Sequence, residues 1–303
     1  MRELLSLEIA GIRIDVRSAG SLNLSQISPA YRQFIAGPDR PPGDVTVEIL
    51  LEAGGLPETR GKKIFDADRA WSIFSDGDGY LLEMKPPPLE EPLWVARFDR
   101  GPGNVRIYCG EPSIRGGTDR TSVLNPIGYP LDQVLVMHIL SQHKGALFHA
   151  AGMQMQNGAY MFPGRSGAGK STISRLLRDR DMGELLSDDR VIVRKTEDAF
   201  RAFGTPWPGD AGIAENRSAR LEGIFFIRHA DENQINNLTP PEALKNLLPV
   251  VSVPWYDEDP MSDILSVCED LVYDVPAYEF SFRPDRSAAD FLENLIKRQR
   301  PWP

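Results

Sequence analysis

The chain has 303 residues, room for two domains or one large one. Its 41% hydrophobic and 25% charged residues suit a soluble globular protein, and a net charge of −9 argues against a nucleic-acid partner. Cys109 and Cys268 stand far apart outside any motif, which excludes a disulfide framework and a zinc ligand set. No long apolar run and no leader-like start occur, so a cytoplasmic protein without a membrane partner is expected.

Taken in order, the first part reads as β-sheet. Leu5, Leu7 and Ile9, then Ile12, Ile14 and Val16, alternate with polar residues around a tight turn at Ala10-Gly11. Residues 20–43 are loop-like and end in Pro41-Pro42-Gly43, and Val45 to Leu51 alternates again. Trp71 to Phe74 and Tyr80 to Met84 flank Asp76-Gly77-Asp78-Gly79, which marks a hairpin. A calcium loop fails there, because Tyr80 and Pro87 fall where ligands belong. Pro86-Pro87-Pro88 is a stiff connector, and Leu93 to Phe98 and Val105 to Cys109 add two strands. A boundary falls in the glycine-rich and polar stretch 110–126, dividing a β-rich region 1–120 from a second domain 121–303.

In the second domain, Leu131 to Leu140 is apolar all round, so a buried helix is expected, closed at Lys144-Gly145. A strand over Ala146 to Met155 leads to Asn157-Gly158, a strong hairpin signal, and to a second strand, Gly158 to Phe162. Further strands are read at Gly183 to Ser187, Val191 to Val193, Ala199 to Phe203, Leu221 to Ile227 and Tyr278 to Phe282. Thr239-Pro240-Pro241-Glu242 is a capping box opening a helix. Asp259-Pro260 opens another, with Ile264, Leu265, Cys268, Leu271 and Val272 inward. The last helix turns Ala288, Phe291, Leu292, Leu295 and Ile296 to one face.

The hairpin's second strand runs into Gly164-Arg165-Ser166-Gly167-Ala168-Gly169-Lys170-Ser171-Thr172, which fits the phosphate-loop pattern G-x-x-x-x-G-K-[ST]. Glycines let backbone N–H groups turn inward around phosphate oxygens, Lys170 would reach the β- and γ-phosphates, and the Ser171 hydroxyl would sit on Mg²⁺. The helix that follows would aim its positive end at the same anion. A flanking strand and an apolar helix face (Ile173, Leu176, Leu177) favour this over a plain glycine-rich turn. In common nucleotide-binding sheets such a loop follows a parallel strand, so feeding it from a hairpin predicts a different architecture.

Phosphoryl transfer also needs a metal and a group that orients or deprotonates the nucleophile. Asp188 and Asp189 lie 17 residues beyond Ser171 at the end of a short apolar strand, where one could bind Mg²⁺ and the other act as base; a turn or helix-cap acid pair is the competing reading. His149 could touch phosphate or tune the acids, although a satisfied core histidine is the commoner case. Arg217 could stabilise the transferring phosphoryl group and Glu215 add a metal ligand, against the alternative of a solvated loop. His138, His143 and His229 show no partner in sequence and are read as structural.

Together, His149, the loop Gly164 to Ser171, Ser187-Asp188-Asp189-Arg190, and Gly204-Thr205-Pro206-Trp207-Pro208-Gly209 through Asn216-Arg217 resemble the C-terminal fold of HPr kinase/phosphorylase. That fold is related to phosphoenolpyruvate carboxykinase, and the resemblance covers about half the chain, from Asn125 to Phe282. It implies a mixed α/β P-loop domain and ATP-dependent, or GTP-dependent, phosphorylation of a hydroxyl, in the family a protein serine. Lys170 and Ser171 carry over as phosphate and Mg²⁺ residues, Asp188 and Asp189 as the acid pair, and His149 as an active-site residue. Relatives of the fold often assemble, which leaves a homo-oligomer open. Thr172 stands where HPr kinases proper carry Glu, and no Glu-x-Arg-Gly-x-Gly segment follows the acids. Peptide and small-molecule hydroxyls therefore stay open as acceptors beside protein serine. The alternative function is a nucleotide-binding switch or scaffold that hydrolyses slowly or not at all. Carboxykinase chemistry would need a further metal ligand set that the sequence does not offer.

Overall fold

The structure, a computed structural model, describes residues 2–18, 23–24, 27–37, 45–53, 55–58, 61–68, 70–115, 122–165, 167–197 and 199–298. Ser166, the Pro41-Pro42-Gly43 turn and residues 116–121 of the expected boundary lie outside the described residues. The chain is a mixed α/β protein that divides into two compact units, residues 1–139 with 254–258 and residues 140–253 with 259–303.

The first unit is built on strands β1 (Arg2–Ile9), β2 (Ile12–Ser18), β3 (Asn23–Leu24), β4 (Val45–Ala53), β5 (Lys63–Ala67), β6 (Trp71–Asp76), β7 (Gly79–Met84), β8 (Trp94–Asp99), β9 (Asn104–Cys109), β10 (Ile114–Arg115) and β11 (Ser122–Val123). Eight of them form one sheet in the order β1-β2-β4-β9-β8-β7-β6-β5. The two expected hairpins are present. Ile9 pairs with Ile12 across Ala10-Gly11, and Asp76 pairs with Gly79 across Gly77-Asp78. The alternating residues Leu7, Ile9, Ile12, Ile14 and Val16 are fully buried, as a half-covered sheet requires. β4 runs parallel to both β2 and β9, an arrangement alternation cannot announce because it is the same in either direction.

Helix α1 (Leu131–Gln142) passes from the first unit into the second. The second unit adds β12 (Gly145–Met155), β13 (Gly158–Pro163), α2 (Lys170–Asp179), β14 (Glu184–Ser187), β15 (Arg190–Thr196), β16 (Ala199–Phe203), β17 (Ser218–His229), β18 (Gln234–Asn237), α3 (Pro240–Leu247), β19 (Val251–Ser252), α4 (Glu258–Asp274), β20 (Ala277–Phe282) and α5 (Arg286–Arg298). β12 and β13 form the expected antiparallel hairpin, and β13 also lies parallel to β17, so the strand feeding the phosphate loop has one neighbour of each sense. The path β13-β12-β15-β16-β17 thereby returns to β13.

The core of this unit explains where the loop helix sits. Ile173 and Leu177 of α2 and Ala288, Ala289 and Leu292 of α5 pack on Phe162, Phe225, Tyr278, Phe280 and Phe282 of the sheet. Phe162 stacks on Phe225 at 5.6 Å between ring centroids, and Phe225 on Tyr278 at 5.0 Å, a spacing that adds to plain area burial. Thr239 caps α3 as its motif predicts, its N–H donating to the Glu242 carboxylate at 2.9 Å.

Some expectations are corrected. The residue with positive φ after α1 is Lys144, and Gly145 already belongs to β12. The turn between β12 and β13 is Gln156-Asn157, with Gly158 paired to Met155 in the ladder. In α4, Val267 is buried while Leu265 is only partly covered. β5, β18 and the two-residue strands were not visible in the sequence; β18 (Gln-Ile-Asn-Asn) has almost no apolar residues to alternate. Among the described residues no helix is long and apolar enough to cross a membrane.

Candidate functional site

The site is organised by β12, which changes neighbours in its middle. Gly145–His149 pairs with β15, whereas Ala150–Met155 pairs with β13. His149 sits at the change, and both of its backbone groups are tied along one edge of the strand. Its carbonyl accepts from Gly164 N–H at 3.3 Å, and its own N–H donates to Val250 at 2.7 Å. The next residue, Ala150, donates to the carbonyl of Asp189 at 3.0 Å. One strand therefore holds the start of the phosphate loop and the end of the acid strand on either side of a single histidine.

The loop leaves β13 at Gly164 and enters α2 through Gly169, whose φ of +105° lies in the region that favours glycine. A Cβ there would also come within 2.3 Å of His229 Nε2 and 2.8 Å of Phe282 Cζ. Lys170, the first residue of α2, is buried, and its ammonium donates to the carbonyls of Gly164 at 2.8 Å and Arg165 at 3.4 Å. Burial pulls the Lys170 pKa down, while the nearby Asp189 and Asp188 carboxylates push it back up. Ser171 is exposed at the helix N-terminus and Thr172 is half-buried.

The two acids are not equivalent. Asp188 is almost fully buried and accepts three backbone N–H bonds, from Gly209 at 2.9 Å, Ala211 at 2.7 Å and Ile213 at 3.3 Å. Those bonds take up three of the roughly four lone-pair positions of a carboxylate. Asp189 instead faces the histidine. His149 Nε2 lies 2.8 Å from Asp189 Oδ1, and Arg190 Nε lies 3.4 Å from Oδ2. The hydrogen bond from His149 holds the Asp189 pKa below the usual carboxylate value, against the opposing effect of burial; the charges of Arg190 and Lys170 act in the same sense as the bond.

Arg217 and Glu215 are placed differently. Arg217 forms an ion pair with Glu184, at the start of β14, while the acids follow its end. Four residue steps of about 3.3 Å each separate Glu184 from Asp188, so Arg217 is not brought to the acid pair. Glu215 lies nearer: its N–H donates to Leu186 at 3.1 Å, and Ala214 bridges to Ser187. Among the described residues no three His, Cys, Asp or Glu side chains are grouped to hold a metal. The donor set does suit a Mg²⁺ that arrives with phosphate oxygens, since such an ion needs only one or two carboxylates from the protein and keeps its waters. The exposed Ser171 hydroxyl and a carboxylate of the acid pair would have to supply those donors.

Two residues at the site carried no role in the sequence reading. Arg190 completes the Asp189 pair, and His229, at the exposed end of β17, meets the edge of Phe282 at 5.0 Å and covers Gly169. The adjacency of Arg190 to the acids was its only signal; His229 gave none, because 60 residues separate it from the glycine it covers. A cleft of about 340 Å³ opens beside Gly164 and Arg165. A larger cavity, about 1120 Å³ and lined in part by Asn157, Tyr160 and Tyr273, lies at the other end of β13, away from the loop.

No family model matches the chain, and no curated protein matches it. Among solved structures it is similar to the HPr(Ser) kinase/phosphatase from Coxiella burnetii, with a TM-score of 0.31 and 15% identity, covering 51% of this chain and 90% of that one. At that TM-score the likeness is distant and says nothing of what this chain does.

Proposed function

We propose that the chain is an ATP-dependent phosphotransferase that passes the γ-phosphoryl group to a hydroxyl, with Asp189 as the base and His149 holding it in place. The observation that carries this reading is the 2.8 Å contact of His149 with Asp189, held within electrostatic reach of a buried lysine that closes on its own phosphate loop. The loop amides and the N-terminus of α2 would bind the phosphates, with Lys170 moving from its carbonyl partners to the β- and γ-oxygens. Mg²⁺, held by Ser171 and a carboxylate of the pair, would neutralise phosphate charge. The lowered pKa of Asp189 keeps it ionised at neutral pH and makes it a weaker base. In a loose phosphoryl-transfer transition state that weakness costs little, because positioning and charge stabilisation outweigh basicity.

One observation favours the second reading, a nucleotide-binding switch. Asp188 is engaged by three amides of the 209–213 loop, which makes it a structural staple. Asp189→Asn separates the two. A kinase should lose about 10²–10⁴-fold of phosphoryl transfer, read by ³¹P NMR, while keeping its affinity for a non-hydrolysable ATP analogue. A switch would show no transfer to lose.

A further inference from the structure

We propose that β15, β16 and β17 carry an anion site on one sheet face, where Arg201 and Arg220 hold a phosphate dianion, free or as the phosphate group of a small monoester. No residue of the phosphate loop lines this site, and it stands independently of the phosphotransferase reading.

Strand register is the first support. Arg201 of β16 is the cross-strand partner of Arg220 on β17, and on its other side it is the partner of Arg194 on β15. Directly paired residues share a sheet face, with Cβ atoms about 4.5–5.5 Å apart, so three arginines stand in one row. Like charges set opposite each other destabilise a ladder, and an anion between them reverses the sign of that effect.

The neighbouring acids do not supply that anion. Glu222 lies 3.4 Å from Arg220 Nε, but the Arg220 side chain is 68% exposed, and an exposed pair contributes little. Among the described residues Arg201 pairs with no acid. Its bonds go to the carbonyl and the hydroxyl of Ser218, each at 3.2 Å. Both use Nη2, which leaves Nε and Nη1 to donate.

A recess of about 540 Å³ lies against this pair, lined by Thr196, Glu197, Ala199, Arg201 and Arg220. That volume falls within the range of small-ligand sites, about 300 to 1,000 Å³. Glu197 is ion-paired to neither arginine, and Thr196, which pairs with Ala199 across the ladder, adds a hydroxyl. Two guanidinium forks match the oxygens and the double charge of a phosphate dianion better than they match a single carboxylate.

The test uses the full chain with ¹⁵N-labelled arginine, read by the Nε–Hε signals of Arg201 and Arg220, which are identified by their loss in variants. Reading at these two side chains keeps phosphate bound elsewhere out of the result. Inorganic phosphate should shift both signals saturably, with a midpoint below about 5 mM, and chloride at equal ionic strength should not. Arg201→Lys, which keeps the charge and loses the fork, should weaken binding at least about tenfold, read at Arg220. Arg220→Gln, at an exposed position, should do the same, read at Arg201, with an unchanged circular dichroism spectrum reporting intact folding. Tighter binding of glycerol 3-phosphate than of inorganic phosphate assigns the site to a monoester, and equal or weaker binding assigns it to the free ion. A midpoint above about 5 mM, a linear drift, an equal response to chloride, or an unchanged midpoint in Arg220→Gln would each overturn the site.

Discussion

Two neighbouring aspartates do different work at this site. Asp188 is buried and holds a loop by three N–H bonds, while Asp189, one residue on, is partly open and faces His149 and Arg190. Replacing Asp188 by Asn would turn an NH₂ group toward backbone donors and lose charge-assisted bonds. The expected cost is about 2–4 kcal/mol, read as a lowered melting temperature and faster amide exchange at Gly209, Ala211 and Ile213. The pair was legible in the sequence from its place at the end of an apolar strand. The division of labour was not, since the groups that occupy Asp188 lie 21 to 25 residues further on. Arg217 shows the same limit: a cation in a plausible loop turns out to be paired with Glu184.

Among the elements, α2 joins the sequence pattern to the site most directly. Its period buries Ile173 and Leu177 against the aromatic sheet, and that packing fixes the helix N-terminus at the loop. Gly169→Ala would place a Cβ at a φ of +105° and against Phe282 in the core, so nucleotide affinity should fall more than about tenfold by titration. Unchanged affinity would mean that the loop is remodelled on binding. Helices α2, α3 and α5 were readable because amphipathic period and caps are local. The neighbours of β12 were not: a strand that pairs with β15 along one half and with β13 along the other reads as one alternating apolar run.

At the scale of the whole molecule, the two units hold different kinds of interior. In the first, a polar and aromatic cluster lies within the fold. His138 Nε2 is 3.0 Å from the Tyr256 hydroxyl, Tyr80 donates to Asp257, and Arg100 lies 3.6 Å from Asp257. Burial lowers the His138 pKa from 6.5 to about 4, with Arg100 acting in the same sense and Asp257 against it. The folded state therefore prefers the neutral imidazole. That stability is fully present above pH 6.5, falls as the pH drops, and has gone by about pH 4. The loss should amount to about 3 kcal/mol, and His138→Asn should flatten the acid limb of a melting-temperature profile across that window. The parallel placement of β4 between β2 and β9 was also hidden from the sequence, because the connection from β2 to β4 covers residues 19–44 and carries no directional signal.

The phosphate loop is the premise on which the proposed function rests. Isothermal titration of the full chain with Mg²⁺ and a non-hydrolysable ATP analogue tests it most directly, beside the Lys170→Ala variant. Saturable binding that falls at least about a hundredfold in the variant is the predicted result. No binding to the unaltered chain, or equal binding by both proteins, would contradict the account.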